Sequence, residues 1–429
     1  MTEQLLLGVG RADITPAVGG HLYGYEDNII SESVHDGLQA TAFAFVQGSR
    51  QVLLVNLTVC EMQTALAADI RRELAVQTGI PMQNILLCAT HTHTAPNVSG
   101  TAGWGDLDTA YVDGSFRPGI RAAARQATDV LQPVTMGISA GESLVGVNRR
   151  EQLRDGSIDF GQSPWGPQDK AMTVLSFRTA DGQTLANLIH YGAHGTSAGR
   201  VHIVTRDWPG IMCDRLEALT GGMTAFFNGT MGDTGPRLTN GDTTGNIHYT
   251  EELGGIAAAD AVRIFRTIRE WRGADLDCAE RPLRLALAPR IPREEAEALW
   301  PEYADQTVNI EGLIRDHLAE TLESYRRGEA DATVREVPQT VIRIGPAAFV
   351  PYPYEIFSEI GLRLRRYCAV PHLLVLSNVN GYDGYFPTED QMCRGGYEVE
   401  MFRNVRLQPF AANADQHLID ETLKNPMLN

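Results

Sequence analysis

Short apolar runs alternate along the chain with glycine-rich turns and with segments of helical spacing. Apolar residues at 40–46 and 52–58 flank a turn at 48–50 and predict an antiparallel strand pair. Similar runs predict further strands at residues 5–9, 85–89, 134–139, 171–178, 185–191, 223–227, 339–344, 347–350 and 373–377. Many short strands separated in this way are typical of a β-sheet core.

Apolar residues at helical spacing predict helices between these strands. In residues 64–77, positions that include Leu74 and Val76 approximate one face, and Gly79 lies just beyond the end. The charged segment 290–330 predicts further helices, in a possible surface insertion. Other predicted helices cover residues 119–131, 209–219, 251–272 and 354–366.

Strand-like and helix-like segments run through the whole chain, and no linker, low-complexity tract or internal repeat divides it. Its 429 residues suffice for a sizeable core. We therefore predict an α/β fold, a single domain over residues 1–429 with a large mixed β-sheet core surrounded by helices.

The overall charge narrows the choice of partners. The chain has 53 acidic and 36 basic side chains and a net charge of -17, which repels polyanions. We expect neither nucleic-acid binding nor integral membrane association, since no apolar stretch is long enough to span a bilayer. Without a basic and apolar leader at the N-terminus, a cytoplasmic location is expected. The oligomeric state stays open.

The apolar run at residues 85–89 leads into Thr90-His91-Thr92-His93. In an extended chain, side chains two residues apart share one face at about 7 Å, so His91 and His93 can face one cavity. Neutral imidazole is a good zinc ligand. The alternative is that both histidines only bind backbone groups at the strand end.

A second pair of histidines, His190 and His194, lies where a predicted strand enters a loop at Gly195. Residues four apart on a strand are separated by about 13 Å, so only one of them can contact the same ion. We expect His194 to be the ligand, and His190 to be packed or to support a ligand.

These segments belong to a series of seven motifs. The motifs are Gly8-Val9-Gly10-Arg11-Ala12-Asp13-Ile14-Thr15-Pro16, Thr90-His91-Thr92-His93, Val147-Asn148-Arg149, His194-Gly195-Thr196-Ser197, Gly232-Asp233 with Pro236, Pro353-Tyr354-Glu355, and Tyr385 with Pro387-Thr388 and Gly396-Tyr397-Glu398. With these motifs in this order, the chain resembles the catalytic domain of the neutral/alkaline, non-lysosomal ceramidases from its first strand to about Glu398.

The resemblance implies a ceramidase-like fold and a Zn²⁺ site. Its implied ligands are His91, His194, Glu355 and Tyr385. Two imidazoles and a carboxylate leave a position on zinc for water, which is the chemistry of a hydrolase.

The resemblance also implies catalytic residues. His93 would lie in the active site without being a main ligand, Arg149 would hold the substrate, and Tyr397 would lie beside the scissile carbonyl. Asp233 would either shape a glycine-rich turn or orient a zinc-bound histidine, and the sequence does not choose between these roles.

Each assignment has a structural alternative. Glu355 can interact with the N-terminus of the helix predicted nearby. Tyr385 and Tyr397 can be core aromatic residues with a hydrogen-bonded hydroxyl. Arg149 can belong to a surface ion pair.

The chain departs from the family pattern at the serine of the G-D-V-S-P-N segment, which is Gly235 here. Thr234 is one residue early and would face the other way in an extended segment. A covalent serine route is therefore not expected, whereas zinc-activated water remains available. Arg237 and Arg150 add cations to two motifs, which favours an anionic group on the substrate.

We therefore predict a zinc-dependent hydrolase that cleaves an amide (N-acyl) bond by zinc-activated water. Its substrate is expected to be small or anionic rather than ceramide, and the family's C-terminal immunoglobulin-like domain is not expected. The alternatives are a zinc-dependent esterase or lactonase, phosphate-ester chemistry at the same metal, and a non-catalytic ligand-binding protein that kept the zinc site.

Overall fold

Three mixed β-sheets form the centre of the protein in the computed structural model, which describes residues 3–25, 29–237 and 245–429. The first sheet has the strand order Ile85–Ala89, Arg50–Leu57, Gln39–Gln47, Leu6–Asp13 and Gln132–Pro133. The second has the order Met223–Asn228, Thr184–Tyr191, Ala171–Arg178 and Thr135–Glu142. The third has the order His372–Leu376, Ala347–Pro351, Thr340–Ile344 and Leu276–Glu280.

All three sheets share one scheme of connections. Two antiparallel strands form a hairpin, the second strand leads into a helix, and the chain returns as a strand parallel to that second strand. The three crossover helices are Thr64–Thr78, Asp207–Thr220 and Ser358–Tyr367. Each sheet therefore has one parallel pair, and ligand sites in α/β proteins form beyond the carboxyl ends of such strands.

Aromatic side chains from the three sheets meet in one buried core. The ring centroids of Phe45 and Phe177 are 5.3 Å apart, across the first and second sheets. Phe227 of the second sheet lies 6.1 Å from Phe43 of the first and 6.3 Å from Phe349 of the third. Because this apolar surface is removed from water, the sheets are held in a fixed relation, and so are their strand ends.

The remaining elements surround this core. The other helices are Thr109–Tyr111, Arg117–Asp129, Ile247–Phe265, Arg293–Tyr303, Asn309–Arg326, Glu389–Met392, Tyr397–Asn404 and Ala414–Leu423, with a π-helical turn at Val112–Phe116 and 3₁₀ turns at Met82–Asn84 and Pro426–Leu428. Two-stranded pairs are Arg150–Gln152 with Ile158–Phe160, Ser33–Val34 with Ile203–Val204, Gly146–Asn148 with Thr234–Pro236, Leu283–Ala286 with Val334–Val337, and Glu355–Ile356 with Tyr385–Phe386.

The predicted class, a mixed β-sheet core surrounded by helices, is confirmed, with the core divided among three sheets. Among the details of the prediction that are wrong, the helix predicted at 354–366 begins only at Ser358, because Glu355–Ile356 is a short strand. Val76 is 85% exposed, because two residues turn a helix by about 200° and place it opposite buried Leu74. The helix predicted at 251–272 is Ile247–Phe265, which begins early because the Asn246 side chain caps its first amides.

Segment 290–330 contains two helices, Arg293–Tyr303 and Asn309–Arg326, and its role as a separate insertion stays a prediction. Leu313 and Leu318 of the second helix belong to a buried cluster, so this helix is docked on the body of the protein. Within the described ranges, no helix combines the length and apolar character needed to cross a bilayer.

Candidate metal centre and cavity

The side chains of His91, His194 and Glu355 meet at the carboxyl ends of the parallel strand pairs. Each lies just beyond a strand of the parallel pair of a different sheet, His91 and His194 in loops and Glu355 in the two-residue strand Glu355–Ile356. Glu355 Oε2 lies 3.0 Å from His194 Nε2 and 3.6 Å from His91 Nε2, and all three side chains are at most 2% exposed. The cluster depends on the packing of all three sheets.

Backbone carbonyls orient both imidazoles. Nδ1 of His194 lies 3.0 Å from the Met231 carbonyl oxygen and 3.1 Å from that of Thr234. Nδ1 of His91 lies 3.0 Å from the Cys60 carbonyl oxygen. Because a carbonyl only accepts, these contacts favour a proton on Nδ1, which leaves the Nε2 lone pairs facing Glu355.

Two residues near the cluster have left-handed backbone conformations. His91 has a φ of 70°, and Asn378, whose side-chain amide is 2.9 Å from His91 Nδ1, has a φ of 53°. Such conformations cost free energy outside glycine and are typical of functional sites. The conformation of His91 places its ring toward Glu355.

The cluster fits a divalent cation. Glu355 Oε1 accepts a hydrogen bond of 3.1 Å from the Tyr382 hydroxyl, but Oε2 has no hydrogen-bond partner among the described residues. A buried carboxylate oxygen without a partner is costly. Two Nε2 lone pairs beside that oxygen form a donor set that zinc prefers.

Burial determines the acid–base behaviour of the three groups without an ion. It raises the pKa of Glu355, and it lowers the pKa values of His91 and His194. Both imidazoles are therefore neutral near pH 7, which is the form that binds metals.

Tyr385, the fourth residue predicted as a ligand, lies at the edge of the cluster. Its two-residue strand pairs in parallel with that of Glu355, so that the two residues are direct neighbours. Its hydroxyl oxygen is 3.4 Å from His194 Nε2 and accepts a 2.9 Å hydrogen bond from Arg149 Nη2. Burial and Glu355 raise the pKa of Tyr385, while Arg149 opposes this shift.

The two adjacent arginines predicted to bind substrate have different surroundings. Arg149 donates through Nε to Glu398 at 2.8 Å and lines the cavity described below. Arg150 donates to Glu398 at 2.5 Å, to Gln391 at 3.0 Å and to the Gly395 carbonyl at 2.6 Å. A substrate contact by Arg150 stays a prediction, and its guanidinium has these intramolecular partners.

Arg237, also predicted to bind substrate, borders the segment 238–244, which lies outside the described residues. Its backbone nitrogen donates to the Val145 carbonyl at 2.9 Å. It is not among the described residues that line the cavity, so its contact with substrate stays a prediction.

Asp233 supports the turn that holds His194. Its carboxylate accepts hydrogen bonds from the Ser358 amide at 2.8 Å, the Ser358 hydroxyl at 2.7 Å and the Asn148 side chain at 3.1 Å. Burial raises the pKa of Asp233 to about 6. The His194 imidazole is contacted by the backbone carbonyls of Met231 and Thr234, and not by the Asp233 carboxylate. These contacts favour the turn-shaping role of Asp233 over direct orientation of His194.

A cavity of about 300 Å³ opens beside the cluster. His93, Arg149, Tyr385 and Tyr397 line the side nearest the cluster. His93 Nε2 is 3.1 Å from His91 Nε2, and the ring of Tyr397 lies 5.8 Å from that of Tyr385. The rest of the lining consists of Gly24, Tyr25, Trp104, Phe160, Arg200, Asn309, Ile310 and Glu311.

Sequence reasoning missed the buried Glu61. Its Oε1 accepts hydrogen bonds from Tyr23 at 2.5 Å, Ser99 at 2.9 Å and Thr101 at 3.1 Å. Like Glu355, it follows the first strand of a parallel pair. An acid directly after a buried apolar run was the signal that would have identified it.

Three mixed sheets with a buried His-His-Glu cluster beside a cavity define this as an α/β protein with a candidate metal-dependent active site. The sequence profile of the neutral/alkaline non-lysosomal ceramidases, N-terminal, matches residues 5–251. The chain belongs to this family, and the resemblance seen in its motifs is confirmed.

Curated relatives agree with this assignment. The neutral ceramidase of Pseudomonas aeruginosa is 27% identical over 70% of this chain and 46% of its own length. The neutral ceramidase of Mycobacterium tuberculosis is 29% identical over 54% of this chain and 40% of its own length. Neutral ceramidase A of Dictyostelium discoideum is 28% identical over 47% of this chain and 30% of its own length. The chain spans less than half the length of these relatives.

Solved structures support the fold. A crystal structure of neutral ceramidase from Pseudomonas aeruginosa matches 98% of this chain and 74% of its own, with a TM-score of 0.74 and 21% identity. The structure of a ceramidase complexed with C2 matches 98% of this chain and 75% of its own chain, with a TM-score of 0.74 and 19% identity. The arrangement of sheets and helices is therefore that of neutral ceramidase.

Proposed function

We propose that the protein is a zinc-dependent hydrolase that cleaves the amide (N-acyl) bond of a small substrate. The observation that carries this proposal is Oε2 of buried Glu355, which has no hydrogen-bond donor among the described residues and faces the Nε2 atoms of two imidazoles beside a cavity. A divalent ion held by His91, His194 and Glu355, with Tyr385 as fourth ligand, would polarise the amide carbonyl and acidify a water molecule.

His93 is the proposed proton carrier. It lines the cavity next to the metal centre, and burial lowers its pKa well below the usual value, with His194 and Arg149 adding to this effect. The neutral imidazole accepts a proton from the attacking water and delivers it to the departing amine nitrogen. The products are a carboxylic acid and an amine.

Arg149 and Tyr397 are the proposed substrate contacts. Arg149 keeps a fixed direction because Glu398 and Tyr385 hold its guanidinium. The Tyr397 hydroxyl donates a hydrogen bond to the carbonyl oxygen as negative charge develops there. The rings of Trp104 and Phe160 lie 6.3 and 5.1 Å from that of Tyr397 and limit the access of water.

The proposed substrate is small, because the cavity lies at the lower end of the usual range for ligand sites. The names of the relatives point to ceramide as their substrate. Because this chain covers less than half of their length, we do not transfer that substrate to it. Arg150 and Arg237 remain candidates for contacts with an anionic group on the substrate.

A matched panel of amides, esters and lactones with the same acyl groups tests the reaction. Zinc-dependent cleavage of amides supports the proposal, whereas cleavage of esters or lactones alone supports the esterase alternative. Tight ligand binding without turnover supports a non-catalytic protein, a reading favoured by Gly235 at the position of the family serine. Full amide cleavage after complete removal of zinc would contradict the proposal.

A further inference from the structure

One turn of the helical segment 290–330 forms a wall of the cavity. Asn309, Ile310 and Glu311, at the start of the helix Asn309–Arg326, line it together with Trp104. Ile310 also packs against the buried cluster that contains Leu313. The segment expected from sequence to be a surface insertion therefore contributes directly to the candidate active site.

Glycines join this turn to the loop that carries Trp104. The Asn309 amide donates to the Gly103 carbonyl at 2.6 Å. A Cβ on Gly103, whose φ is 87°, would lie 2.1 Å from the Asn309 carbonyl oxygen, and one on Gly312 would lie 2.7 Å from the Thr307 carbonyl carbon. Only glycine allows these contacts, so the backbones of loop and helix are in direct contact.

Buried Glu61 ties the same loop to the first sheet. Its carboxylate accepts hydrogen bonds from Ser99 and Thr101, and the Thr101 carbonyl accepts one of 3.0 Å from the Trp104 amide. The wall is therefore connected through buried polar contacts to the sheet that also positions His91. This arrangement is that of a fixed wall rather than a mobile lid.

The space in front of the wall is lined by aromatic side chains and by the charged residues Arg149, Arg200 and Glu311. At about 300 Å³, the cavity lies at the lower end of the usual range for ligand sites, so a long alkyl chain is expected to extend beyond it. The rings of Tyr25, Trp104, Phe160 and Tyr397 surround this space. They suit an apolar acyl group, while a long alkyl chain needs more room.

We propose that the first turn of the helix Asn309–Arg326 restricts the enzyme to amides with short apolar acyl groups, and that Ile310 is the specificity-determining residue. This inference rests on the proposed amide hydrolysis. Truncation of Ile310 removes side-chain volume from the wall of the cavity while the contact between Gly103 and Asn309 remains.

The test uses N-acylglycines with acetyl, butyryl, octanoyl and palmitoyl groups, kept below their micellar concentrations, with glycine release as the readout. For the zinc-loaded wild type, we expect kcat/KM to fall at least about tenfold from butyryl to palmitoyl, an effect of about 1.4 kcal/mol on the barrier. Ile310→Ala should raise the ratio of octanoyl to butyryl turnover by about tenfold. Val308→Ala is the matched control, since Val308 is 43% exposed and does not line the cavity.

A second readout separates this inference from the reaction itself. Binding of butyrate, octanoate and palmitate, measured by calorimetry, should show the same preference for short chains in the wild type. It should shift toward octanoate in Ile310→Ala and in the milder Ile310→Val. If the acids bind with this preference but no acylglycine is cleaved, the proposed amide hydrolysis is contradicted, while the role of Ile310 in selecting the chain length is supported.

Three results overturn the inference. The first is that the wild type cleaves palmitoyl and butyryl compounds equally well. The second is that folded Ile310 variants keep the chain-length profile of the wild type. The third is that neither binding nor hydrolysis occurs at any chain length.

Discussion

Arg149 Nη2 donates a hydrogen bond of 2.9 Å to the phenol oxygen of Tyr385. The same guanidinium donates to Glu398 at 2.8 Å and lies 4.8 Å from the centre of the Phe160 ring. It is buried, yet it lines the cavity. One fixed cation therefore separates the candidate metal centre from the space for substrate, and it contacts a residue of each.

This relationship predicts that Arg149→Lys lowers kcat/KM by about 100-fold, since a lysine ammonium cannot contact Glu398, Tyr385 and the substrate at once. The measurement is steady-state kinetics on the zinc-loaded protein. Arg365→Lys is the control, because Arg365 binds Asp169 through two hydrogen bonds outside the cavity. Equal losses of activity in both variants would show that the effect is structural.

The His-His-Glu cluster predicts one tightly held zinc ion per chain. Removal of zinc by a chelator should abolish amide cleavage and lower Tm, since an ion at 100 times its Kd stabilises the folded state by about 2.7 kcal/mol. In His194→Ala and Glu355→Gln, elemental analysis should find less than one tenth of the wild-type zinc, a loss of about 1.4 kcal/mol or more in binding.

His190→Gln provides the matched control for zinc binding. His190 is a buried histidine four residues from His194, and its Nε2 lies 2.8 Å from the Val375 carbonyl oxygen. We expect this variant to lose stability but to retain one zinc ion. Loss of zinc from His190→Gln, or its retention in Glu355→Gln, would contradict the assigned ligand set.

The residues that sequence reasoning brought together follow buried strands. His91 and His194 could be predicted from the sequence, because an apolar run that leads into a histidine predicts an imidazole near a strand end. Their meeting with Glu355 was not accessible from strand patterns, because it requires the packing of three sheets, and only the family resemblance linked the three. The repeated connection scheme also escaped detection, since it is a repetition of backbone pairing and not of side chains.

The directions of long side chains were equally out of reach. Arg149 and Arg150 are adjacent and both contact Glu398, yet only Arg149 lines the cavity. Asn309 and Ile310 lie in a charged segment whose pattern predicts a solvent-exposed helix. The contact between Gly103 and Asn309 joins residues about 200 positions apart, and no local pattern encodes it.

Glu61 predicts a pH-dependent stability in zinc-free protein. Burial, with a contribution from Glu355, raises the pKa of Glu61 from 4.5 to about 8. The folded state then holds a proton that the unfolded state releases, so the contribution of Glu61 to the free energy of unfolding falls as pH rises from about 4.5 to about 8, by up to about 1.4 kcal/mol per unit.

Glu61→Gln should remove the contribution of Glu61 to this slope, because glutamine keeps an acceptor for Tyr23, Ser99 and Thr101 but does not ionise in this range. Urea unfolding at pH 5, 6.5 and 8, with chelator present, measures the difference. We expect the variant to gain stability relative to the wild type as pH rises. A constant difference across this range would show that Glu61 is ionised throughout.

The position of the family serine allows a sharp test of the chemistry. The Thr234 hydroxyl lies 3.0 Å from that of Ser358, in a fully buried position, so it is held away from the cavity as its place in an extended strand predicts. A Cβ on Gly235 would lie 3.5 Å from Arg149 Cβ, an ordinary contact. Neither residue presents a nucleophile to the cavity in the wild type, although the space at 235 admits a Cβ.

We therefore expect Thr234→Val to lose about 1 kcal/mol of stability, the contribution of one buried hydrogen bond, and to keep kcat/KM within about fivefold of the wild type. Mass spectrometry after rapid quenching should find no acyl-enzyme in the wild type or in Thr234→Val. Gly235→Ser, which should fold with wild-type Tm, is the positive control for acyl capture. A covalent adduct on wild-type Thr234 would replace direct attack by water with a threonine nucleophile, and the packing of Thr234 against Ser358 would then have to change during turnover.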